Sequence, residues 1–363
     1  MSRRPSGPLR RGWTTGACAA AAARAALEAL LTGRFPDPVA IRLPGGERPS
    51  FALALKEMLP DAARAGIVKD AGDDPDVTHG ALVVAEIARG PAGGGLRFQA
   101  GPGVGTVTRP GLPLAPGEPA ITAGPRAMIA QALKDAAEAA EAEPPRDLLV
   151  TLAIPGGEAL AARTHNARLG IVGGLSILGT TGIVTPYSCA AWIHSIHRGI
   201  DVARAAGLRH LAASTGSTSE KAVQRLYNLP ETALIDMGDF AGGTLKYLRG
   251  HPVPRLTLAG GFAKLAKLAA GHLDLHSGQS RIEAAWLAGT LQAMGCNEDL
   301  VGRAQKAQSA GEVLALAGGR GGDLARRVAL GAREVALATL AGGIAVDVVV
   351  FDRQGETLAH VGP

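Results

Sequence analysis

Aromatic residues and cysteines are scarce in this 363-residue chain. Phenylalanine, tryptophan and tyrosine together make up 3% of it, which argues against an aromatic platform for stacking single-stranded nucleic acid. The three cysteines, Cys18, Cys189 and Cys296, are far apart and form no CxxC pair. The sequence therefore predicts neither a disulfide framework nor a cysteine zinc site, as is typical of a protein in the reducing cytoplasm.

Long apolar runs and a concentrated basic surface are also missing. No stretch of about 18 uncharged apolar residues occurs, so we expect no membrane-spanning helix. The alanine-rich segment 17–23 is soon followed by Arg24 and Glu28, which indicates a helix rather than the apolar part of a signal peptide. The net charge of +5 comes from dispersed basic residues, apart from an arginine-rich segment at 3–11. We therefore expect no nucleic-acid partner, whereas a polyanionic small molecule suits this charge.

The length and the order of predicted elements indicate two domains. Residues 1–206 together with 325–363 are predicted to form an α+β domain with a mixed sheet, which a C-terminal hairpin at 345–360 would rejoin. Residues 207–324 alternate strands and helices and predict a smaller parallel α/β domain. The predicted fold class is therefore α+β combined with α/β.

Glycine is abundant, with 50 residues, and segment 164–186 combines it with strand-forming residues. Its Gly173–Gly174 pair and its Gly179–Gly182 turn, which contains Thr180 and Thr181, are typical either of a bulged buried strand or of a backbone wall beside a ligand. Two such interruptions just before Pro186 favour the ligand wall.

A second glycine pattern, Gly101-x-Gly103-x-Gly105, matches the beginning of a dinucleotide-binding fingerprint. That fingerprint requires a helix to start at its glycines, whereas Thr106 and the residues after it continue as extended chain. We therefore expect no dinucleotide site here, while a ligand-facing loop stays open as an interpretation.

An acidic loop holds a dense cluster of ionisable residues, namely Asp70, Asp73, Asp74, Asp76 and His79. Like charges so close together raise one another's pKa, which can create a general base near neutrality. A cation bound by oxygen ligands, or a solvated turn, explains the same density, although the spacing is not that of an EF-hand.

Two hydroxyl-rich segments stand at predicted helix starts. Thr14, Thr15 and Gly16 precede an alanine-rich helix, so that Thr15 is the expected N-cap and Gly16 would let a ligand reach the helix amides. The run 214–219 follows a strand and opens another helix, where it could hold an anion or simply cap the helix.

Basic and imidazole side chains cluster late in the chain. Lys264 and Lys267 lie on one face of a short predicted helix, where they could bind carboxylates or be its solvated face. The pairs His272/His276 and His194/His197 have the residue types of metal ligands, but two ligands do not make a site, so structural roles are favoured.

Six blocks of the sequence, taken in order, resemble the CbiD family, the cobalt-precorrin-5B C-1 methyltransferases of anaerobic cobalamin biosynthesis. The blocks are WTTGACAAAAA (13–23), KDAGDDPDVTHG (69–80), GPGVGTVTRPGL (101–112), GEPAI followed by PRAMI (117–129), THNARLGIVGGLSILGTTGIVTP (164–186) and GGFAKLAKLAAGHLDLHS (260–277).

The resemblance implies transfer of a methyl group from S-adenosylmethionine to ring carbon 1 of cobalt-precorrin-5B, giving cobalt-precorrin-6A. It also implies a two-domain fold with a Rossmann-like second domain, distinct from the ordinary methyltransferase folds. The partner would be a tetrapyrrole that carries its own cobalt, so no metal held by the protein is expected. A cytoplasmic location and a homodimer are further expectations.

On this interpretation the acidic-loop residues supply a base and charge facing the donor. The residues expected to contact the donor are Thr14, Thr15, Gly16, Gly103, Gly105, Thr106, Gly173, Gly174, Gly179, Thr180 and Thr181. The glycine-rich segments among them could equally contact the macrocycle. Those expected to contact the substrate are Lys264, Lys267, His272, His276 and Ser277.

Three alternatives differ from this reaction. A non-catalytic tetrapyrrole carrier would bind the macrocycle without a donor, a metal-free precorrin could be the substrate, and a phosphate-transferring enzyme would need the GxxxxGK[ST] loop that this sequence lacks.

Overall fold

The computed structural model describes residues 7–143, 145–276 and 280–363, without the side chains of 280–283. The chain divides into two compact units, residues 1–188 and 189–363. Both units combine helices with strands, so the protein is a mixed α/β protein with mixed sheets.

The first unit contains three helices and thirteen strands among its described residues, many of the strands only two residues long. The helices are α1 (Thr15–Thr32), α2 (Ala123–Ala139) and α3 (Gly157–Ala161). The strands are β1 (Gly12–Trp13), β2 (Val39–Ala40), β3 (Ser50–Phe51), β4 (Leu55–Met58), β5 (Ala62–Val68), β6 (Leu82–Arg89), β7 (Leu96–Ala100), β8 (Gly103–Val104), β9 (Thr106–Val107), β10 (Leu148–Ala153), β11 (Ile171–Val172), β12 (Gly174–Leu175) and β13 (Ile183–Val184).

A five-stranded sheet in the order β4-β5-β6-β10-β7 is the framework of this unit. Its neighbours are antiparallel except for β10 and β7, which are parallel. Helix α1 packs on β5 and β6 and against α2. Its alanines at 17–23 are each at most 1% exposed. This half of the helix has no charged side chain, and a helix segment that is apolar all round is buried, so here it fills the core of the unit.

The second unit alternates strands and helices. The helices are α4 (Cys189–Ala205), α5 (Ser217–Tyr227), α6 (Ala241–Gly250), α7 (Phe262–Ala269), α8 (Ser280–Ala293), α9 (Glu298–Lys306), α10 (Ala310–Leu316) and α11 (Gly321–Leu340), with 3-10 turns at Glu231–Ala233 and Gly318–Arg320. The strands are β14 (His210–Ser214), β15 (Leu234–Asp236), β16 (Arg255–Gly261), β17 (Ala345–Phe351) and β18 (Thr357–Val361).

These five strands form one sheet in the order β15-β14-β16-β17-β18. The first four are parallel, and β18 pairs antiparallel with β17. Residues of α5 cover one face, whereas residues of α4, α6, α7 and α11 form the core on the other face. No described helix has both the length and the apolar composition that crossing a bilayer requires.

The boundaries of the units correct the expected domain division. Strand β17 pairs with β16 along its whole length, from Ala345 to Phe351. Because that parallel ladder satisfies the backbone of β17, the C-terminal hairpin belongs to the second sheet and does not rejoin the first. The first unit also ends at residue 188 instead of 206, because α4 contributes Ile196 and Ile200 to the core of the second unit.

Candidate functional site

The N-terminus of α1 is fastened to a neighbouring loop. Thr14 is the N-cap, and its side chain accepts a hydrogen bond from Ala17 N at 3.1 Å. Thr15, the expected cap, is the first helical residue, and its Oγ1 accepts from Leu178 N at 3.0 Å. Gly16 is buried, and its N–H donates to Leu178 O at 3.1 Å. The expectation that Gly16 opens the helix amides to a ligand is therefore wrong, because the main chain of Leu178 occupies that place.

The predicted turn Gly179–Gly182 packs directly on this helix start. Gly179 has φ +115°, and a Cβ there would lie 2.4 Å from Thr14 Cβ, so glycine is required for packing. Thr180 and Thr181 are exposed. These two threonines remain accessible to a ligand.

The glycines predicted to form the other ligand wall, at 103–105 and 173–174, mostly lie where two chain segments pack closely together. Strand β8 pairs with β12, so that Gly103 lies opposite Gly174. A Cβ on Gly103 would lie 1.9 Å from Ile154 O, and one on Gly174 would lie 2.3 Å from Gly103 C. A Cβ on Gly105 would lie 2.5 Å from the side chain of Ile171. Gly103 and Gly174 are thus packed against backbone atoms and Gly105 against the Ile171 side chain, so these three glycines do not face a ligand.

Two residues of that wall are open. Gly173 is exposed, with φ +86°, and a Cβ there would have nothing within 4 Å. Thr106, in β9, is partly exposed and lies opposite Val172 of β11. The outer edge of the wall thus remains available to a ligand.

In the acidic loop, Asp70 is held by an arginine that precedes β1. Arg10 Nη1 and Nη2 donate to the two oxygens of Asp70 at 2.5 and 2.9 Å. This bidentate contact, helped by the N–H of Gly72, lowers the pKa of Asp70 to about 2. Charge repulsion was expected to raise the pKa of these aspartates, and for Asp70 that expectation is wrong because a cation is its nearest charged neighbour.

Asp76 is paired with a buried lysine. Lys69, 1% exposed, donates from Nζ to Asp76 Oδ2 at 2.6 Å. Burial would raise the pKa of Asp76, but the charge and hydrogen bond of Lys69 and the hydrogen bonds from Thr78 outweigh it and lower the pKa. Asp76 is therefore an ionised anchor of the loop, and the predicted upward shift is corrected here too.

The remaining ionisable residues of the loop are arranged differently. Asp73 Oδ2 accepts from Arg10 N at 2.6 Å, and Asp74 Oδ1 accepts from Tyr187 N at 2.7 Å. His79 Nδ1 accepts from Ala71 N at 3.1 Å, which places the ring proton on Nε2 when the imidazole is neutral. The side chain of His79 is 53% exposed. His79 and the exposed Asp73 are thus the members of the loop that solvent, or a substrate, reaches most easily.

A groove of about 320 Å³ lies beside Asp70. It is lined largely by apolar groups from β1, β3 and β5, among them Trp13, Phe51 and Val68. The Trp13 and Phe51 rings meet edge to face, with centroids 5.5 Å apart, and Val68 is 52% exposed. An apolar groove that includes a carboxylate bonded to an arginine suits an apolar ligand with acidic substituents.

Hydrogen bonds bring three distant segments together at this place. Trp13 N donates to Asp70 O at 2.7 Å, and Asp73 N donates to Arg10 O at 3.0 Å. Strand β1 pairs with β13, and Asp74 accepts from Tyr187 just beyond that strand. We call this assembly, formed by residues 10–16, 69–79 and 178–187, the N-terminal cluster.

The predicted substrate lysines in the second unit already have partners. Lys264 Nζ contacts Asp239 Oδ1 and donates to Leu275 O at 3.0 Å. Lys267 is 5% exposed and donates to His276 O at 2.9 Å. Both lysines hold the segment after α7, so the expectation that they bind substrate carboxylates is not supported by their geometry.

The other residues predicted to contact substrate, His272, His276 and Ser277, differ in their surroundings. The Nε2 atom of His272 is buried without a hydrogen-bond partner, and His276 is exposed. Ser277 lies outside the described residues. Among the described side chains, no three of the His, Cys, Asp or Glu type are grouped so that they could hold a metal ion.

Sequence reasoning missed Arg10, Lys69 and Trp13 as members of the cluster. Arg10 was treated only as part of the arginine-rich segment at 3–11, and its role depends on a contact with Asp70, 60 residues away in the chain. A lysine directly beside an aspartate-rich loop was the available signal for Lys69. Nothing in the local sequence distinguishes Trp13 from a core residue.

Comparisons with known proteins identify family models that match both parts of the chain. Residues 2–186 match the family described as CbiD, and residues 274–362 match the one described as CbiD, C-terminal domain. A crystal structure of a cobalamin biosynthesis protein (cbiD) from Archaeoglobus fulgidus is 28% identical, with a TM-score of 0.41, and the match covers 77% of this chain and 86% of that one.

Curated relatives are similar along nearly the whole chain. One from Bradyrhizobium is 62% identical over 356 residues, covering 97% of this chain and 94% of the relative. Another from Paramagnetospirillum magneticum is 60% identical over 352 residues, covering 96% and 97%, and one from Brucella anthropi is 57% identical over 354 residues, covering 97% and 96%. All three are named cobalt-precorrin-5B C(1)-methyltransferase. The chain belongs to the CbiD family.

Proposed function

We propose that this protein transfers a methyl group from S-adenosylmethionine to ring carbon 1 of cobalt-precorrin-5B, giving cobalt-precorrin-6A. The observation that carries the proposal is 62% identity to a relative of that name over 97% of the chain. The cobalt belongs to the substrate. A cytoplasmic location, homodimer formation and a Rossmann-like role of the second unit remain predictions from the sequence.

The reaction needs positioning more than it needs a reactive protein group. The methyl carbon bonds to the electron-rich ring carbon while its bond to sulfur breaks, and the electron pair of that bond stays on sulfur. Because no protein nucleophile takes part, alignment of donor and acceptor supplies much of the rate acceleration. A base completes the reaction by accepting the proton that the macrocycle releases.

The N-terminal cluster is the proposed binding place for the macrocycle. Trp13 and Val68, supported by the buried Phe51, offer an apolar wall to one face of the ring. Arg10, whose side chain is 59% exposed, is bonded to Asp70 of that groove and can meet a peripheral carboxylate without leaving Asp70. The exposed Gly173, Thr180 and Thr181 extend the accessible surface of the same unit.

Within the acidic loop the roles divide by environment. Asp70 and Asp76 are ionised and held by cations, so they fix the loop. Asp74 anchors the backbone of Tyr187. Asp73 and His79 are the exposed members, and we assign the role of base to one of these two.

The reaction is tested by anaerobic incubation with cobalt-precorrin-5B and methyl-labelled S-adenosylmethionine, followed by mass spectrometry and NMR of the labelled carbon. One new methyl at ring carbon 1 is the expected result. Tight binding of the tetrapyrrole without any transfer would instead indicate a carrier.

The assignment within the loop is tested with Asp73→Asn and His79→Gln in the same assay. We expect one of them to lower kcat by about 100-fold, the usual contribution of a general base. Asp61→Asn, an exposed aspartate in the turn between β4 and β5, is the matched control and should not change kcat. Normal turnover in both loop variants would contradict the role of the loop.

A further inference from the structure

The strand order of the second unit changes direction between β14 and β16. From β14 the chain passes through α5 to β15 on one side, and it then returns through α6 to β16 on the other side. The loops that leave β14 and β16 therefore diverge at the carboxyl ends of the two strands. A crevice at such a point is where open α/β sheets bind ligands.

Two helix N-termini face this crevice. Ser214 and Ala259 lie opposite each other in the parallel pair, and Thr215 N donates to Ala259 O at 3.0 Å, so the two loops are adjacent. Helix α5 begins directly after Gly216, and α7 begins directly after Gly261. Their first amides are donors that suit a carboxylate or another anion, and the first turn of α7 has no acidic residue whereas that of α5 has Glu220.

The two capping glycines have no structural requirement for glycine. Gly216 has φ 170° and ψ 169°, and Gly261 has φ −69° and ψ 152°, which are backbone conformations open to any residue. Neither glycine provides a side-chain cap, and a Cβ on either would have nothing within 4 Å. This contrasts with Gly103, whose Cβ would collide with Ile154 O. The free space beside Gly216 and Gly261 would let a ligand approach the main chain.

An unsatisfied hydroxyl lies at the same edge. Ser214, the last residue of β14, is fully buried, and its Oγ has no hydrogen-bond partner. Side chains alternate along a strand, so Ser214 points to the same face as Ala212, which packs with residues of α5. Its hydroxyl is therefore directed to the side where α5 begins. A buried hydroxyl without a partner is unfavourable, so this one points to a hydrogen bond made with a ligand.

A carboxylate completes the arrangement. Asp236 ends β15, lies opposite Ser214 in the sheet, and follows Gly216 by 20 residues. In nucleoside-binding α/β sheets, an acidic residue about 20 residues after the glycine loop accepts hydrogen bonds from ribose hydroxyls. The edge thus offers a ribose acceptor beside two anion-binding helix starts.

We propose that the adenosyl group of the methyl donor binds at this strand-end site, formed by residues 214–216, 236 and 259–261. Asp236 accepts from the ribose hydroxyls, and the amides that open α5 hold the donor's carboxylate. The inference rests on the proposed methyl-transfer function, and it moves the donor away from Gly16, Gly103, Gly105, Gly174 and Gly179, which the first unit uses for its own packing.

The test measures binding of S-adenosylhomocysteine to the full-length protein by calorimetry, together with the KM for the donor. Gly216→Val and Gly261→Val should each raise both constants by about tenfold or more, because a side chain displaces the ligand from the main chain. Gly216→Ala adds only a Cβ, which meets open space and should leave the fold intact. A loss of binding in this variant therefore reports on contact with the ligand and not on folding. Gly302→Val, in α9, also meets open space and is the matched control, with unchanged binding.

The outcomes distinguish this inference from the function on which it rests. The donor would have to bind elsewhere if Gly216→Val, Gly216→Ala and Gly261→Val all bound S-adenosylhomocysteine as the wild type does, with melting temperatures near the wild-type value. The proposed methyl-transfer function would not be affected by that result. Methyl transfer with the same donor KM in wild type and variants would overturn the site in the same way. A wild-type protein that neither binds S-adenosylhomocysteine nor transfers a methyl group would overturn the proposed function itself.

Discussion

Lys69 and Asp76 form an ion pair in which the ammonium group is almost fully buried. Lys69 Nζ lies 2.6 Å from Asp76 Oδ2, and the exposed fractions of the two side chains are 1% and 26%. The second oxygen of Asp76 accepts from Thr78 N at 2.8 Å and Thr78 Oγ1 at 2.7 Å. The pair therefore connects the residue that follows β5 to the far side of the acidic loop, and it stabilises the conformation of that loop.

We expect Asp76→Asn to destabilise the protein strongly, because it leaves a buried ammonium without its counter-charge. The free energy of unfolding should fall by about 3 kcal/mol, as measured by chemical denaturation. Asp37→Asn is the matched control, because its pair with Lys56 has the same 2.6 Å distance but lies at the surface. That control should have a much smaller effect. Equal losses in the two variants would show that burial of Lys69 does not strengthen its pair.

Asp70 should titrate well below an ordinary aspartate. Arg10 holds its pKa at about 2, whereas an unfolded aspartate has a pKa of about 3.9. A lowered folded pKa means that the contribution of Asp70 to stability is complete above about pH 4 and is lost as the pH falls towards 2. NMR of the side-chain carboxyl carbon measures this midpoint directly.

Arg10→Gln should raise the Asp70 midpoint towards about 3.9, because it removes both the charge and the bidentate contact. Lys56→Gln removes a distant lysine from the same unit and should leave the midpoint of Asp70 unchanged. A wild-type midpoint of 4 or more would contradict the assignment of Asp70 as an ionised anchor and would restore it as a candidate base.

Gly103 and Gly173 should differ in their tolerance of alanine although both have positive φ. Gly173→Ala meets open space, so only the backbone strain of about 1–2 kcal/mol is expected. Gly103→Ala adds a collision with Ile154 O at 1.9 Å, so the loss should exceed about 3 kcal/mol. Denaturation curves of the two variants measure the difference. Similar losses would indicate that β8 and Ile154 can move apart.

The thiol of Cys18 should be unreactive in the folded protein. Burial raises the pKa of Cys18 to about 12, so almost no thiolate forms near neutrality. Cys189 is exposed and should react quickly with a thiol reagent such as DTNB. In Cys189→Ser/Cys296→Ser, which removes the exposed and the partly exposed thiol, the native protein should not react and the signal of Cys18 should appear only after denaturation. Rapid labelling of Cys18 in the native protein would contradict its burial in α1.

Family membership and reaction were predictable because they depend on long ordered blocks of sequence. The regular elements were also accessible, since α1 and the alternating strands and helices of the second unit follow from hydrophobic periodicity and from glycine and proline positions. The positions of individual side chains were predicted less well. Lys264 and Lys267 have the residue type and spacing of an anion site, yet both are occupied by the segment around Leu275 and His276.

The acidic loop also has a property that the sequence predicts and one that only the tertiary structure reveals. Its density of charge is evident from the sequence, but the sign of each pKa shift depends on which cation lies nearby, and Arg10 reaches Asp70 across 60 residues. The same holds for the glycines in 103–105 and 173–182. The sequence does not reveal whether the absence of a side chain makes room for another strand or for a ligand.

Local patterns thus determined the secondary structure, the family and the chemistry to expect. Tertiary packing decided where the C-terminal hairpin pairs, which glycines touch backbone, and which charges neutralise one another. The physical reason is range: propensity and periodicity act over a few neighbouring residues, whereas strand pairing, burial and ion pairing depend on groups that folding brings together from distant parts of the chain.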